Sequence, residues 1–342
     1  MELESVLVTG GAGFIGSHLC DALAATGRYN VLAMDDLSGT ECKWENVKSK
    51  FVGWSTLACE NYEQVLDSYD EGDIDTLVHC AANAREGASQ FQPHAVTQAN
   101  LHAYMSVLSA AIQRKVKRVV LLSSMSVYGH QQTPFHEELP LAPADVYAVN
   151  KAAMETTTAI LSDVHGFKYV ILRPHNVFGE RQALHDKFRN VAAIFMNRIM
   201  REEPLFIYGD GLQERAFSYI EDTIPAMVAA IENVESLHGQ TFNVGGMQEI
   251  TVNELAKKVK AAMGVDESYT TEYHIDRPCE VKRAFSTYTK SVDQLGYREE
   301  YGWEQGLTRM AKWALERGMS AWHTERPLEI INAKTPKPWL VK

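Results

Sequence analysis

Residues 9–18 read Thr9-Gly10-Gly11-Ala12-Gly13-Phe14-Ile15-Gly16-Ser17-His18. They follow a short apolar run, Ser5–Thr9, and open a helical stretch, His18–Thr26. In such a strand–turn–helix, Gly10 allows the tight turn, Gly13 lets backbone approach a pyrophosphate, and Gly16 lets the helix pack against the strand. The phosphates would lie at the positive end of the helix, against the turn that carries Phe14 and Ile15. A glycine triplet alone is a weak signal; the strand before it and the helix after it make it a dinucleotide loop. Asp35 ends the next apolar run, about 20 residues beyond the last glycine, where an acidic side chain accepts the ribose hydroxyls. A carboxylate there repels a 2′-phosphate, which favours NAD over NADP, and Asp36 is placed to share the role.

The same alternation continues outward. Ser5–Thr9, Asn30–Met34, Thr76–Cys80, Val116–Ser123 and Tyr169–Arg173 are apolar through their centres, as strands of a parallel sheet covered on both faces are. Helical patterns lie between them at His18–Thr26, Tyr62–Tyr69, Ala95–Lys115 and Asn150–Val164. Repeated βα units predict an α/β, doubly wound Rossmann sheet. Past residue 180 the pattern turns to helices near Asn190–Arg201, Asp222–Ile231, Val252–Met263 and Trp303–Arg317, with short strands such as Leu205–Tyr208 and Thr241–Val244. The expected division is a cofactor-binding domain over 1–180, a smaller substrate lobe over 181–323 interleaved with it, and a tail over 324–342, from Thr324, without a readable role.

Composition narrows the partners. The chain has 342 residues and a formal net charge of −11, so nucleic acid and anionic membrane surfaces are disfavoured. An anionic ligand would need local arginines or helix N-termini to hold it. Cys20, Cys42, Cys59, Cys80 and Cys279 are scattered and form no CxxC, so neither a disulfide framework nor a metal site is expected. No apolar run reaches the ~18 residues of a membrane span, and the expected setting is cytoplasmic.

Ser123-Ser124-Met125-Ser126-Val127-Tyr128-Gly129 ends the fourth expected strand, where ligands of open parallel sheets bind. Tyr147 and Lys151 follow at i, i+4, on one face of a helix. A free tyrosine is a poor base at neutral pH, with a pKa near ~10. A neighbouring ammonium and a positive nicotinamide ring would favour the phenolate, so that Tyr147 takes a proton from a sugar hydroxyl as hydride leaves its carbon. Ser124 would hydrogen-bond the same hydroxyl, and Lys151 would reach the nicotinamide ribose.

Taken together, TGGAGFIGSH, SSMSVYG, YAVNK and RPHNVFG resemble the extended short-chain dehydrogenase/reductases, the NAD-dependent epimerase/dehydratase family, and within it the UDP-glucose (UDP-galactose) 4-epimerases. The resemblance spans roughly residues 4–317. It implies Ser124, Tyr147 and Lys151 as catalytic residues, with Ser123, Ala81 and Ala82 lining the cofactor. Asn100 would steady the strand ends, and Pro174 and His175 would lie near the nicotinamide. Ser126 and Asn176 would meet the substrate, Asn190 would lie beside its diphosphate, and Arg215 and Arg277 would clamp it. Guanidinium suits that task because it is permanently charged and pairs bidentately with phosphate. A homodimer through the helices Ala95–Lys115 and Asn150–Val164 is also implied, with Leu101, Tyr104, Met105, Met154 and Ile160 on their outer faces. The stretch Phe51–Leu57 departs from the family's Gly-Asp pattern, which leaves the adenine contact to backbone or Asn61.

Within the resemblance, Met125 and Ser126 stand where 4,6-dehydratases carry Asp-Glu, which argues against loss of water. With no second acid/base pair, transient oxidation at C4 is the remaining chemistry: NAD⁺ takes hydride and returns it to the opposite face of the sugar. Other chemistries of the family, or a non-catalytic NAD-binding protein, are the alternatives; the intact Ser124–Tyr147–Lys151 set argues against the last. Ala284, at a position that touches the sugar in 4-epimerases, would leave room for an N-acetyl group on C2.

Overall fold

The computed structural model describes residues 3–39, 41–323 and 327–340, so Thr324, the expected start of the tail, lies outside the described residues. Six strands follow in chain order: β1 (Glu4–Thr9), β2 (Tyr29–Asp35), β3 (Val52–Thr56), β4 (Thr76–His79), β5 (Arg118–Leu122) and β6 (Lys168–Pro174). With Gln240–Val244 they form one seven-stranded sheet, in the order Gln240–Val244, β6, β5, β4, β1, β2, β3. Every pairing in it is parallel. The winding reverses between β1 and β4, which opens a crevice at the carboxyl ends of these two strands.

The strands are apolar throughout because both faces are covered. Val6 and Val8 point into one core with Val78, Val120 and Leu172. Leu7 points into the other with Leu77, Leu121 and Ile171. That period of two sends alternate residues to opposite helical layers. Helix α1 (Phe14–Ala25) covers the first face with Leu19, Cys20 and Leu23. After α2 (Tyr62–Asp67) and the short α3 (Pro93–Thr97), helices α4 (Ala103–Gln113) and α5 (Val146–His165) cover the second. The strand Gln240–Val244, which follows the helix Ile220–Glu232, thus returns from the second half of the chain to complete the sheet.

The single helix expected over Ala95–Lys115 is interrupted by a wider, π-helical turn at Gln98–His102. Asn100 occupies that turn. Its amide donates to the carbonyls of Val96 (2.7 Å) and Asn83 (3.1 Å), and its carbonyl accepts from the Asn83 N–H (3.1 Å). The side chain replaces backbone bonds and pins the loop after β4. Tyr104 and Met154, expected on an outer face, are instead fully buried in the chain's own core. The outer stripe of α5 consists of Val149, Ile160 and Val164, all at least half exposed.

Two successive turns of α5 grip the sheet. The Lys151 ammonium donates to the Leu122 carbonyl at the end of β5 (2.7 Å). One turn on, Glu155 pairs with Arg173 of β6 at 2.9 and 2.6 Å and accepts the Ser123 hydroxyl. Arg173 also donates to the Tyr128 hydroxyl (2.7 Å), which in turn donates to Asn243 (2.7 Å). Glu155 and Arg173 are both almost fully buried. Such a pair adds little beyond what apolar residues would, but removing one partner strands a buried charge. Glu155→Gln is expected to lower stability by about 3–5 kcal/mol in urea unfolding; a change below about 1 kcal/mol would show that water reaches Arg173.

Candidate active site

One cleft of about 910 Å³ runs along the carboxyl ends of the strands and into the second lobe. Gly10, Gly13, Phe14, Ile15, Gly16, Asp35, Asp36, Ala81 and Ala82 line one half. Gly10 adopts φ +67°, and a Cβ there would come within 2.7 Å of the Ala81 amide. A Cβ on Gly16 would overlap the Gly10 carbonyl at 2.1 Å, so α1 rests directly on the turn. Gly13 precedes the first turn of α1 without a side-chain cap, leaving the N–H groups there directed at the cleft for a pyrophosphate. The loop and acid therefore fit a dinucleotide.

Asp35 does more than the sequence suggests. Its carboxylate accepts the Ala12 N–H (3.1 Å) and the Leu37 N–H (2.9 Å), so it ties the glycine turn to the end of β2. Burial pushes its carboxyl up to about 6. Asn61, the expected adenine contact, is spent as the cap of α2, accepting from the Gln64 N–H, and does not line the cleft; Cys59 and Glu60 do.

Ser124, Tyr147 and Lys151 meet at the middle of the cleft. Ser124 caps a tight turn, Met125–Tyr128, by accepting the Ser126 N–H (3.1 Å), and its hydroxyl lies beside the Tyr147 phenol. The Lys151 ammonium lies 5.8 Å from the centre of the Tyr147 ring. Burial lowers Lys151 to about 8. The phenol departs from expectation: burial, and after it the Glu86 carboxylate, push Tyr147 up, while the Ser124 hydroxyl pulls the other way. The protein's own groups therefore hold Tyr147 as the neutral phenol, and the positive ring of a bound NAD is what would favour its ionised form.

In the far half, Arg215 and Arg277 share one carboxylate. Glu280 pairs with Arg215 at 2.8 Å and with Arg277 at 2.6 Å. This brings the two expected clamp residues together and presents them jointly to an anion. Asn176 and Asn190 line the same region. Asn176 holds φ +34°, unusual for a residue with a side chain, and donates to the Ala216 carbonyl (2.8 Å). Asn190 caps the helix Val191–Met200, accepting from the Ala192 N–H and donating to the Val177 carbonyl.

Four expected site residues do not line the cleft: Asn100, Ser126, His175 and Ala284. Asn100 acts through Asn83, as described. His175 is fully buried behind Pro174, with its Nε2 3.0 Å from the Ser286 hydroxyl, and burial lowers it to about 3. Ser126 turns behind Ser124. Ala284 is buried in an apolar cluster with Met125, Val127, Tyr128, Phe135 and Ala152, behind the wall of the cleft, so its small size supplies no argument about an N-acetyl group.

Other groups were not anticipated. Glu86 and Asp145 flank Tyr147 in the cleft. Asp145 caps α5 through the Ala148 N–H (2.8 Å), and burial followed by Glu86 raises it to about 7. The tail also returns to the cleft. Glu329 accepts the His94 and Ala95 N–H groups at the start of α3. Trp339, almost wholly buried, packs edge-on against Phe91, Phe188 and Tyr208. An Asp before a helix is a cap signal in any sequence, but nothing in a Pro-rich tail foretells where its tryptophan docks.

A family model described as NAD dependent epimerase/dehydratase family matches residues 6–245. The chain is similar to the UDP-glucose 4-epimerase of Thermotoga maritima, solved with UDP-glucose: 30% identity, TM-score 0.84, covering 92% of this chain and 99% of that one. It is also similar to the UDP-glucuronic acid 4-epimerase of Bacillus cereus, solved with UDP-glucuronic acid and NAD: 27% identity, TM-score 0.81, covering 90% and 98%. The dTDP-D-glucose 4,6-dehydratase of Bos taurus is 27% identical, over 97% of this chain and 95% of that protein.

The raised carboxyl of Asp35 sets a sign for cofactor binding. Ribose hydroxyls donate to the ionised form, which predominates above pH 6, so NAD⁺ affinity is expected to fall as pH drops through about 6. Asp35→Asn is expected to flatten that fall and to erase the preference over NADP⁺, measured by titration calorimetry from pH 5 to 8. A wild type with equal affinity for NADP⁺ would contradict the assignment.

Proposed function

We propose that this chain, which belongs to the NAD-dependent epimerase/dehydratase family, inverts C4 of a UDP-hexose by transient oxidation and re-reduction. The observation that carries the reading is the meeting of Ser124, Tyr147 and Lys151 midway along one cleft, between the glycine loop and the Arg215–Arg277 pair. NAD, when bound, supplies the redox chemistry, taking the C4 hydrogen with its electron pair and giving it back. Tyr147 removes the proton from the sugar's O4 and later restores it, with Ser124 holding the same oxygen. Lys151 is fixed to Leu122 and keeps a positive charge beside the phenol.

Arg215 and Arg277 grip the diphosphate, exchanging part of their bonding to Glu280 for phosphate oxygens. With the diphosphate as pivot, the 4-keto sugar rotates and offers its other face. Residues 1–180 hold the cofactor in this reading, and 181–323 supply most of the nucleotide-sugar contacts. Met125 and Ser126, which follow Ser124, offer no acid or base aimed into the cleft, which favours epimerisation over loss of water. The Val149–Ile160–Val164 stripe of α5, with the partly buried Leu101 and Met105, suits pairing of two copies, and the reduced, scattered cysteines suit the cytoplasm. No helix among the described residues is long and apolar enough to cross a membrane.

Tyr147→Phe is expected to keep nucleotide-sugar affinity and to lose about 10²–10⁴-fold in turnover, because only the proton acceptor is removed. Product analysis of the wild type with UDP-glucose and UDP-galactose should show the C4 epimer at unchanged mass. A product lighter by one water, or a Tyr147→Phe variant of near-normal rate, would overturn the proposal.

A further inference from the structure

Glu86 opens a short turn, Glu86–Phe91, that is fixed on both sides. Toward α5, the Ser89 hydroxyl donates to Asp145 (3.4 Å), two residues before Tyr147. Toward the second lobe, a Cβ on Gly87 would lie 3.0 Å from the Arg277 guanidinium. Glu86 therefore stands between the proton-transferring tyrosine and the arginine pair, where the sugar of a nucleotide sugar would rest. Its side chain is exposed in the cleft, and its carboxylate makes no hydrogen bond or ion pair among the described residues.

The neighbouring cations are already engaged. Arg215 and Arg277 hold Glu280, and Arg85 pairs with Asp186 at 2.9 Å. Lys187 donates to the Trp339 carbonyl (2.9 Å), and Arg189 donates to the Ala82 carbonyl (3.3 Å) with Asp186 at 3.7 Å. Asp145, beside Glu86, adds a second carboxyl. The sugar subsite thus has a carboxyl facing it whose attracting cations, Arg215 and Arg277, are already bonded to Glu280.

We propose that Glu86 is a specificity residue that restricts the cleft to nucleotide sugars with an uncharged hexose and excludes those whose sugar carries a carboxylate. The proposal rests on the nucleotide-sugar reading above and narrows its substrate class. Two like charges within about 6 Å at an effective dielectric constant near 20 weaken binding on the order of a hundredfold. A hexose hydroxyl, by contrast, can donate to Glu86 and gain a charge-assisted bond. Specificity of this kind works by repelling the wrong ligand as much as by holding the right one.

Titration calorimetry on the NAD-loaded protein tests this with UDP, UDP-glucose and UDP-glucuronate, comparing wild type with Glu86→Gln. The wild type is expected to bind UDP-glucose at least about tenfold more tightly than UDP-glucuronate. The Glu86→Gln variant, near-isosteric and uncharged, should narrow that ratio by about tenfold or more, mainly by gaining UDP-glucuronate, with UDP affinity unchanged. A wild-type preference for UDP-glucuronate, or an unchanged ratio in the variant, overturns the role of Glu86 and leaves the nucleotide-sugar reading intact. Loss of UDP-glucose turnover in the variant at an unchanged binding ratio assigns Glu86 to proton transfer and likewise overturns it. Failure of wild type to bind UDP or either sugar overturns the underlying reading as well.

Discussion

The seam between α5 and the ends of β5 and β6 is the constraint on which the site depends. Tyr147, Lys151 and Glu155 lie at i, i+4 and i+8, so one face of one helix presents a phenol, an ammonium and a carboxylate in line. The last two are bonded to the sheet through Leu122, Ser123 and Arg173, and the first meets Ser124. Because the buried Glu155–Arg173 pair tolerates no loss of either partner, the helix cannot slide or rotate without stranding a charge. The phenol is thereby held at the mouth of the crevice that the reversal of winding opens between β1 and β4.

Electrostatics then divides the cleft. A chain of net charge −11 repels anions at long range, so an anion site needs local donors. The crevice offers backbone donors at one end and side-chain donors at the other. The uncapped N-terminus of α1 offers N–H groups to a pyrophosphate, and Arg215 and Arg277 offer guanidinium groups. Glu280 keeps that pair from repelling itself and makes its charge available only in exchange. The neutral phenol of Tyr147 is the counterpart at the centre, where burial and Glu86 keep its proton on.

What was legible in the sequence follows local rules. The glycine turn, the apolar strands and the i, i+4 pair each depend on a few neighbouring residues, and the structure places all three together. Helix ends were harder, because Asn100 breaks its helix through a bond to Asn83, a loop contact that no periodicity encodes. His175 and Ala284 fall behind the wall because burial depends on which face a strand end turns to the cleft. Glu86 and Trp339 are invisible for a related reason: their neighbours come from α5, the second lobe and the tail, which are far apart in the chain. The tail's docking on Phe91, Phe188 and Tyr208 is a packing fact that a run of prolines does not foretell.

The claim that joins these parts is that one hydrogen leaves C4 and returns to C4 within one closed cycle. UDP-glucose carrying deuterium at C4, incubated with the NAD-loaded protein in ordinary water, tests it directly. The expected product is UDP-galactose that keeps its deuterium at C4, at unchanged mass. Deuterium lost to solvent, or a product lacking one water, would contradict it.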